Sequence, residues 1–275
     1  MRKPLFQKIC IIGVGLIGGS LGMAVKKRKV AKLVIGVVRR KETIREAFAK
    51  KAIDVATLDI IDGVRDADVV ILCAPASTIV SQLKTIAPHL KKGALVIDVG
   101  SSKTLIEKEA AKVFKKNIFI GCHPMAGSES CGIEHASANL FEKSVCFMTK
   151  PNAKISQFWK TLGAIPIVMD AKSHDEWVAT ASHLPHLLAF SLFQNFKQSS
   201  KKFPLNPSLQ NLARIAKSNP ELWADIFLSN REAVLASMNS FEKSLLHFKK
   251  ALSTKNIIQL KSIITKANRS SPSHA

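Results

Sequence analysis

Tyrosine is absent from this 275-residue chain, and nothing in the sequence explains why. Aromatic residues make up only 6%, with phenylalanines scattered through apolar runs. A nucleic-acid reader needs a basic stripe, a reading helix or aromatics on a basic surface, so no nucleic-acid partner is expected. Cysteine is sparse too. Cys10, Cys73, Cys122, Cys131 and Cys146 form no CxxC and no even framework, which excludes a disulfide-stapled fold and points to a reduced, cytoplasmic protein. Cys122, His123, Cys131 and His135 cluster, but at no common zinc spacing, so no metal is expected. No segment reaches the ~20 uncharged apolar residues of a membrane span, and no membrane partner is expected. The apolar run from Ile9 to Val25 follows Arg2 and Lys3 in the manner of a secretion signal. It holds five glycines and lacks a small-x-small cleavage site, so a glycine-rich turn in a folded domain explains it better.

Negative charge is in short supply. Lys and Arg number 41 against 20 Asp and Glu, a net charge of +21. The excess is spread over both halves of the chain, not held in a tail. Much of it reads as a solvated lysine-rich surface, but such a field favours anionic partners: phosphorylated cofactors and small polycarboxylate substrates. The remaining composition, 47% hydrophobic and 22% charged, is that of a globular protein. The length suits one large domain or two modest ones.

Up to about residue 170 short β-rich runs alternate with helical stretches. Strands are expected over 8–12, 33–38, 69–73, 95–99, 118–121, 145–149 and 165–169, with helices over 17–27, 41–50, 78–87, 103–114 and 153–162. Several strands are continuous Val/Ile/Leu runs, the pattern of strands buried on both faces of a parallel sheet. This alternation predicts a doubly wound, Rossmann-type α/β domain over 1–171. Strand signals then vanish, and an all-helical domain is expected over 172–275. Its helices should cover 175–195 with a break at Pro185, 209–217, 221 to about 252, and 256–267, with a loop over 201–208. Ser218 and Glu221 stand at capping-box spacing around Pro220.

Gly13-Val14-Gly15-Leu16-Ile17-Gly18 is a GxGxxG between a hydrophobic strand and a helix, the context a dinucleotide loop requires. Gly13 permits the turn, Gly15 lets the backbone approach a pyrophosphate, and Gly18 lets helix and strand pack closely. The helix start at Leu16 and Ile17 supplies amide groups for the phosphates. An NAD site places Asp or Glu after the next strand, whereas this chain has Arg39 and Arg40. Guanidinium groups pair with a 2′-phosphate, so NADP is expected as cofactor, with NAD possible. Ala74 and Pro75, after another strand end, should pack against the cofactor.

His123 follows a buried strand and should project into the crevice, where an imidazole can take a proton while hydride leaves carbon. A histidine satisfied by a backbone carbonyl is the competing reading. Ser101, at another strand end, is suited to orient a hydroxyl or the imidazole. Ser182 and His186 share a helical face, with His183 nearby, and Pro185 frees a carbonyl that can accept a bond. Arg214 is either a surface residue or the partner of a substrate carboxylate.

Together these segments resemble the prephenate/arogenate dehydrogenases of tyrosine biosynthesis. The resemblance runs through GVGLIGGSLG (13–22), DVGSSK (98–103), GCHPMAGSESCGIEHASANLFE (121–142), SHLPH (182–186) and ARIAKSNPELWADIFLSNRE (213–232). It implies oxidative decarboxylation: hydride passes from the ring carbon bearing the 4-hydroxyl to a nicotinamide, CO2 leaves, and the ring aromatises. It implies that His123 binds the 4-hydroxyl and accepts its proton, and that Ser101 contacts both this hydroxyl and the nicotinamide side. Arg214 is implied to bind substrate carboxylate, His186 and Ser182 to line the pocket, and Ser128 and Glu129 to stand at its rim. The helical half is implied to form a homodimer, with the active site between the two domains. With the length taken up by these two parts, no further fused domain is expected. The chain departs from the family pattern at Ala213, where threonine is common, and at Arg39-Arg40. The second departure looks like the NADP-using, arogenate-preferring branch. An NADP-dependent reductase of small hydroxy acids or imines, on the same two-domain plan, is the alternative.

Overall fold

The computed structural model describes residues 3–114, 118–127, 131–194 and 206–270. Eight strands come first: β1 (Phe6–Ile12), β2 (Ala31–Val37), β3 (Val55–Thr57), β4 (Val69–Leu72), β5 (Leu95–Asp98), β6 (Phe119–Pro124), β7 (Val145–Met148) and β8 (Ile165–Val168). They form one sheet in the order β3-β2-β1-β4-β5-β6-β7-β8. In β1 and β4, residues Ile9, Ile11, Val69 and Ile71 enter one apolar layer. Cys10, Ile12, Val70 and Leu72 enter the opposite layer. Two-residue alternation between two cores is why these strands read as unbroken apolar runs.

The layers are closed by helices α1 (Leu16–Lys27), α2 (Lys41–Ala49), α3 (Ile60–Val64), α4 (Ala76–Ile86), α5 (Thr104–Val113) and α6 (Ala153–Thr161). Sequence order reverses between β1 and β4, so a crevice opens at their carboxyl ends. The expected Rossmann-type sheet is therefore present, with one qualification. Strand β7 runs antiparallel to β6, with His123 opposite Phe147. Strand β3 and helix α3 were not anticipated, since three and five residues are too few to show a period.

Every described element after β8 is helical: α7 (Ala171–Val178), a π turn (Ala179–His183), α8 (Leu184–Gln194), α9 (Pro207–Ala216), α10 (Pro220–Ser229), α11 (Arg231–Ser253) and α12 (Ile257–Ser270). The break expected at Pro185 is this π turn, which ends two residues earlier. Pro185 itself lies in α8, which follows the π turn without interruption. The single helix expected from residue 221 is two helices, divided at Asn230. The capping box is also corrected. Asn219 caps α10 by accepting from the Leu222 amide at 2.8 Å, with Pro220 in the first turn. Asn206 and Pro207 start α9 in the same way. Most of the expected 201–208 loop lies outside the described residues. Among the described residues no helix is long and apolar enough to cross a membrane.

Candidate active site

The carboxyl ends of β1, β4, β5 and β6 and the faces of α8, α9 and α10 enclose a cleft of about 560 Å³. Its floor begins at the β1–α1 turn. Gly13 sits at φ +94, and a Cβ there would lie 2.3 Å from the Cys73 carbonyl oxygen. A Cβ on Gly18 would lie 1.9 Å from the Gly13 oxygen. Gly15 differs, since a Cβ there meets nothing within 4 Å. The first two glycines are demanded by packing, while Gly15 keeps open space beside the start of α1, which no side chain caps. That cradle fits a dinucleotide pyrophosphate.

Gly15, Leu16, Ile17, Gly18, Ala74 and Pro75 line the cleft, as do Ser101, His123, Ser182, His186 and Arg214. Gly13 lies beneath this surface rather than on it. Arg39 and Arg40 are exposed outside the lining, just past β2. The Gly13 amide donates to the Val37 oxygen at 3.0 Å, which keeps the end of β2 beside the glycine turn. Ser128 and Glu129 lie outside the described residues.

The chemistry centres on β6. Cys122 turns inward, where its sulfur accepts from Trp159 Nε1 at 3.4 Å. His123 turns the other way, into the cleft. Behind it stand two residues that sequence reasoning missed. His123 Nδ1 is 2.9 Å from His174 Nε2, and His174 Nδ1 is 2.8 Å from Asp175 Oδ1. A carboxylate only accepts, so His174 Nδ1 carries a proton and its Nε2 accepts. His123 Nδ1 is then the donor, and its Nε2 holds the lone pair. Asp175 also accepts from the Lys103 and Thr104 amides, each at 2.8 Å. Burial raises the Asp175 carboxyl, but the bonds from His174, Thr104 and Lys103 outweigh it and hold the group below its ordinary range. Burial, reinforced by His174, Lys103 and His183, pushes His123 well below the ordinary histidine range. No sequence signal marked His174-Asp175 as special, because the pair sits one turn into an ordinary amphipathic helix.

Beneath His123 the buried ion pair of Lys103 and Asp98 grips β6. Lys103 Nζ donates to the Cys122 oxygen at 2.8 Å, and Asp98 accepts from the Cys122 amide at 3.3 Å. Side chains thus continue the ladder past Asp98↔Gly121, where backbone pairing stops. On the helical wall, His186 Nδ1 donates to the Ser182 carbonyl at 2.9 Å, and its ring stacks on Trp223 with centroids 3.6 Å apart. The π turn lets Ser182, His183 and His186 all reach the cleft. Burial pushes His183 down to about 4.

A family model described as the nucleotide-binding domain of prephenate dehydrogenase matches residues 21–167, and one described as its dimerization domain matches residues 170–266. The chain is 36% identical over 247 residues to a prephenate dehydrogenase of Lactococcus lactis, covering 87% of this chain and 69% of that protein. It is 32% identical over 266 residues to a cyclohexadienyl dehydrogenase of Zymomonas mobilis, covering 92% and 90%. Among solved structures, Aquifex aeolicus prephenate dehydrogenase in complex with hydroxyphenyl propionate and NAD+ superposes with a TM-score of 0.87 at 30% identity, covering 95% of this chain and 96% of that one. Synechocystis arogenate dehydrogenase gives 0.80 at 28% identity, covering 95% and 98%. A 3-hydroxyisobutyrate dehydrogenase, at 13% identity and 0.57, shares the fold alone.

Proposed function

The chain belongs to the prephenate dehydrogenase family of NAD(P)-dependent oxidoreductases, and we propose that it oxidatively decarboxylates arogenate or prephenate with NADP as hydride acceptor. The observation that carries this reading is the His123–His174–Asp175 chain, which opens on the same cleft as the Gly15 cradle and Arg214. When bound, the nicotinamide cofactor supplies the acceptor for the hydride. The chain's own residues do the rest.

His123 Nε2 takes the proton of the ring 4-hydroxyl as the hydride departs. His174 fixes the tautomer this needs, and Asp175 balances the charge as it spreads along the two rings. Ser101 orients the hydroxyl. Arg214 holds a substrate carboxylate, and Ser182, His186 and Trp223 form the wall against the ring. Arg39 and Arg40 clamp the 2′-phosphate, which supports NADP over NAD. The dimerization-domain match and the exposed apolar side chains of α11 and α12 support a homodimer through the helical part.

The test is absorbance at 340 nm with arogenate or prephenate, each with NAD or NADP. Reduction with arogenate and NADP is expected. Reduction with prephenate and NAD only would overturn the cofactor and substrate choices. Folded protein silent in all four mixtures but active on β-hydroxy acids would favour the small-acid dehydrogenase instead.

A further inference from the structure

Helix α4 begins without a cap of its own. Pro75 occupies the capping position and offers no side-chain oxygen, so the amides of Ala76 and Ser77 need an acceptor from elsewhere. The acceptor arrives from 149 residues away. Asp225, on α10 in the helical part, accepts from the Ala76 amide at 2.7 Å and the Ser77 amide at 3.2 Å. The other side of this turn is tied to the sheet, where the Cys73 amide donates to the Ile12 oxygen at 2.8 Å. Residues 73–76, which face the cleft, are thus stretched between β1 and α10.

The same helix holds two more points of the site. Ser102 Oγ donates to Ser229 Oγ at 2.8 Å, next to Ser101. Asn230, which ends α10, donates to the Asp175 carbonyl at 2.8 Å, at the far end of the histidine chain. One rigid element therefore touches the cofactor-facing turn, the serine loop and the proton-handling chain.

We propose that Asp225 is a positioning residue: it sets the cofactor-facing turn at residues 73–76 against the proton-accepting His123 by capping α4 from α10. A local cap would have stabilised α4 equally well but left the turn free of the substrate wall. The inference rests on the cofactor site proposed above. Hydride transfer is sensitive to small misplacements, of which ~1 Å can cost about 100-fold.

The experiment compares D225A and the isosteric D225N with the natural protein in melting temperature, kcat, both KM values, and NADPH binding followed by nicotinamide emission. For D225A, kcat should fall about 10- to 100-fold. NADPH should still bind within about threefold, because the glycine turn holds the pyrophosphate, but with weaker enhancement of nicotinamide emission. D225N keeps one acceptor oxygen and should recover most of both signals. A folded D225A with kcat and emission unchanged, whatever its melting temperature, would reduce Asp225 to a stabilising cap and overturn the proposal. D225N as impaired as D225A would overturn the hydrogen-bond tie. Inactivity of the natural protein on both substrates would sink the proposed reaction instead, and the emission comparison would still decide the role of Asp225.

Discussion

At the scale of single residues, one imidazole should account for much of the rate. His123→Ala is expected to lower kcat by about 10²–10⁴, the usual worth of a general base, with NADPH affinity little changed. Turnover as in the natural protein would remove His123 from the mechanism. Its pH behaviour follows from its surroundings. Burial, His174 and Lys103 disfavour the charged ring, so the neutral base should persist below the ordinary value of 6.5. The acid limb of kcat/KM should therefore fall below pH 6.5, and a limb above it would contradict this environment. Stability runs in the same direction. Buried His183, held at about 4, refuses a proton that the unfolded chain accepts below 6.5. The contribution of His183 should be complete above pH 6.5 and be lost as pH falls to about 4, and protonation of Asp175, held below its ordinary range, should carry the decline on to lower pH. Urea melts across that range check it. Outside the cleft, just past β2, Arg39→Ala with Arg40→Ala should raise KM for NADP at least tenfold and for NAD less than twofold. Equal changes would show that the 2′-phosphate is held elsewhere.

At the scale of elements, the β1–α1 turn separates packing from binding. Gly18→Ala drives a Cβ into the Gly13 carbonyl, so it should destabilise the fold. Gly15→Ala meets no protein atom, so the melting temperature should hold while NADPH affinity drops. A Gly15→Ala protein that binds NADPH normally would mean that the cradle is not where the phosphates sit. The π turn and the start of α8 teach a different lesson. The SHLPH segment reads as one face of a helix, but a π turn and not regular α-helix carries Ser182 and His183 to the cleft. The i,i+4 pairing of Ser182 with His186 survives as a bond from the His186 ring to the Ser182 carbonyl rather than to its hydroxyl.

At the scale of the whole molecule, the helical part is short of cover. Leu245, Leu246, Ile257 and Ile258 are 55%, 61%, 60% and 78% exposed on α11 and α12. Such a surface suits a second copy of the chain. Leu246→Glu with Ile258→Glu is expected to shift the protein from dimer to monomer in sedimentation. A monomeric natural protein, or a double variant that stays dimeric, would move the interface elsewhere. The net charge of +21 also acts at this scale. It raises the encounter rate with anionic cofactor and substrate without deciding what is bound.

Local pattern alone determined the sheet, the glycine turn, the helical second part and the family, because burial on two faces and a tight glycine turn each impose a short-range signature. Ser101, His123, Ser182, His186 and Arg214, which the structure gathers in one cleft, each stand in a short distinctive segment. Only the tertiary structure decided what surrounds them. The reversal of β7, the grip of Lys103 and Asp98 on Cys122, the His174–Asp175 support and the reach of Asp225 to α4 all join residues far apart in the chain. Even where these residues stand in distinctive segments, nothing in the segment names the partner. A hydrogen bond across 149 residues leaves no periodicity to read, since its geometry exists only once the packed elements bring donor and acceptor together.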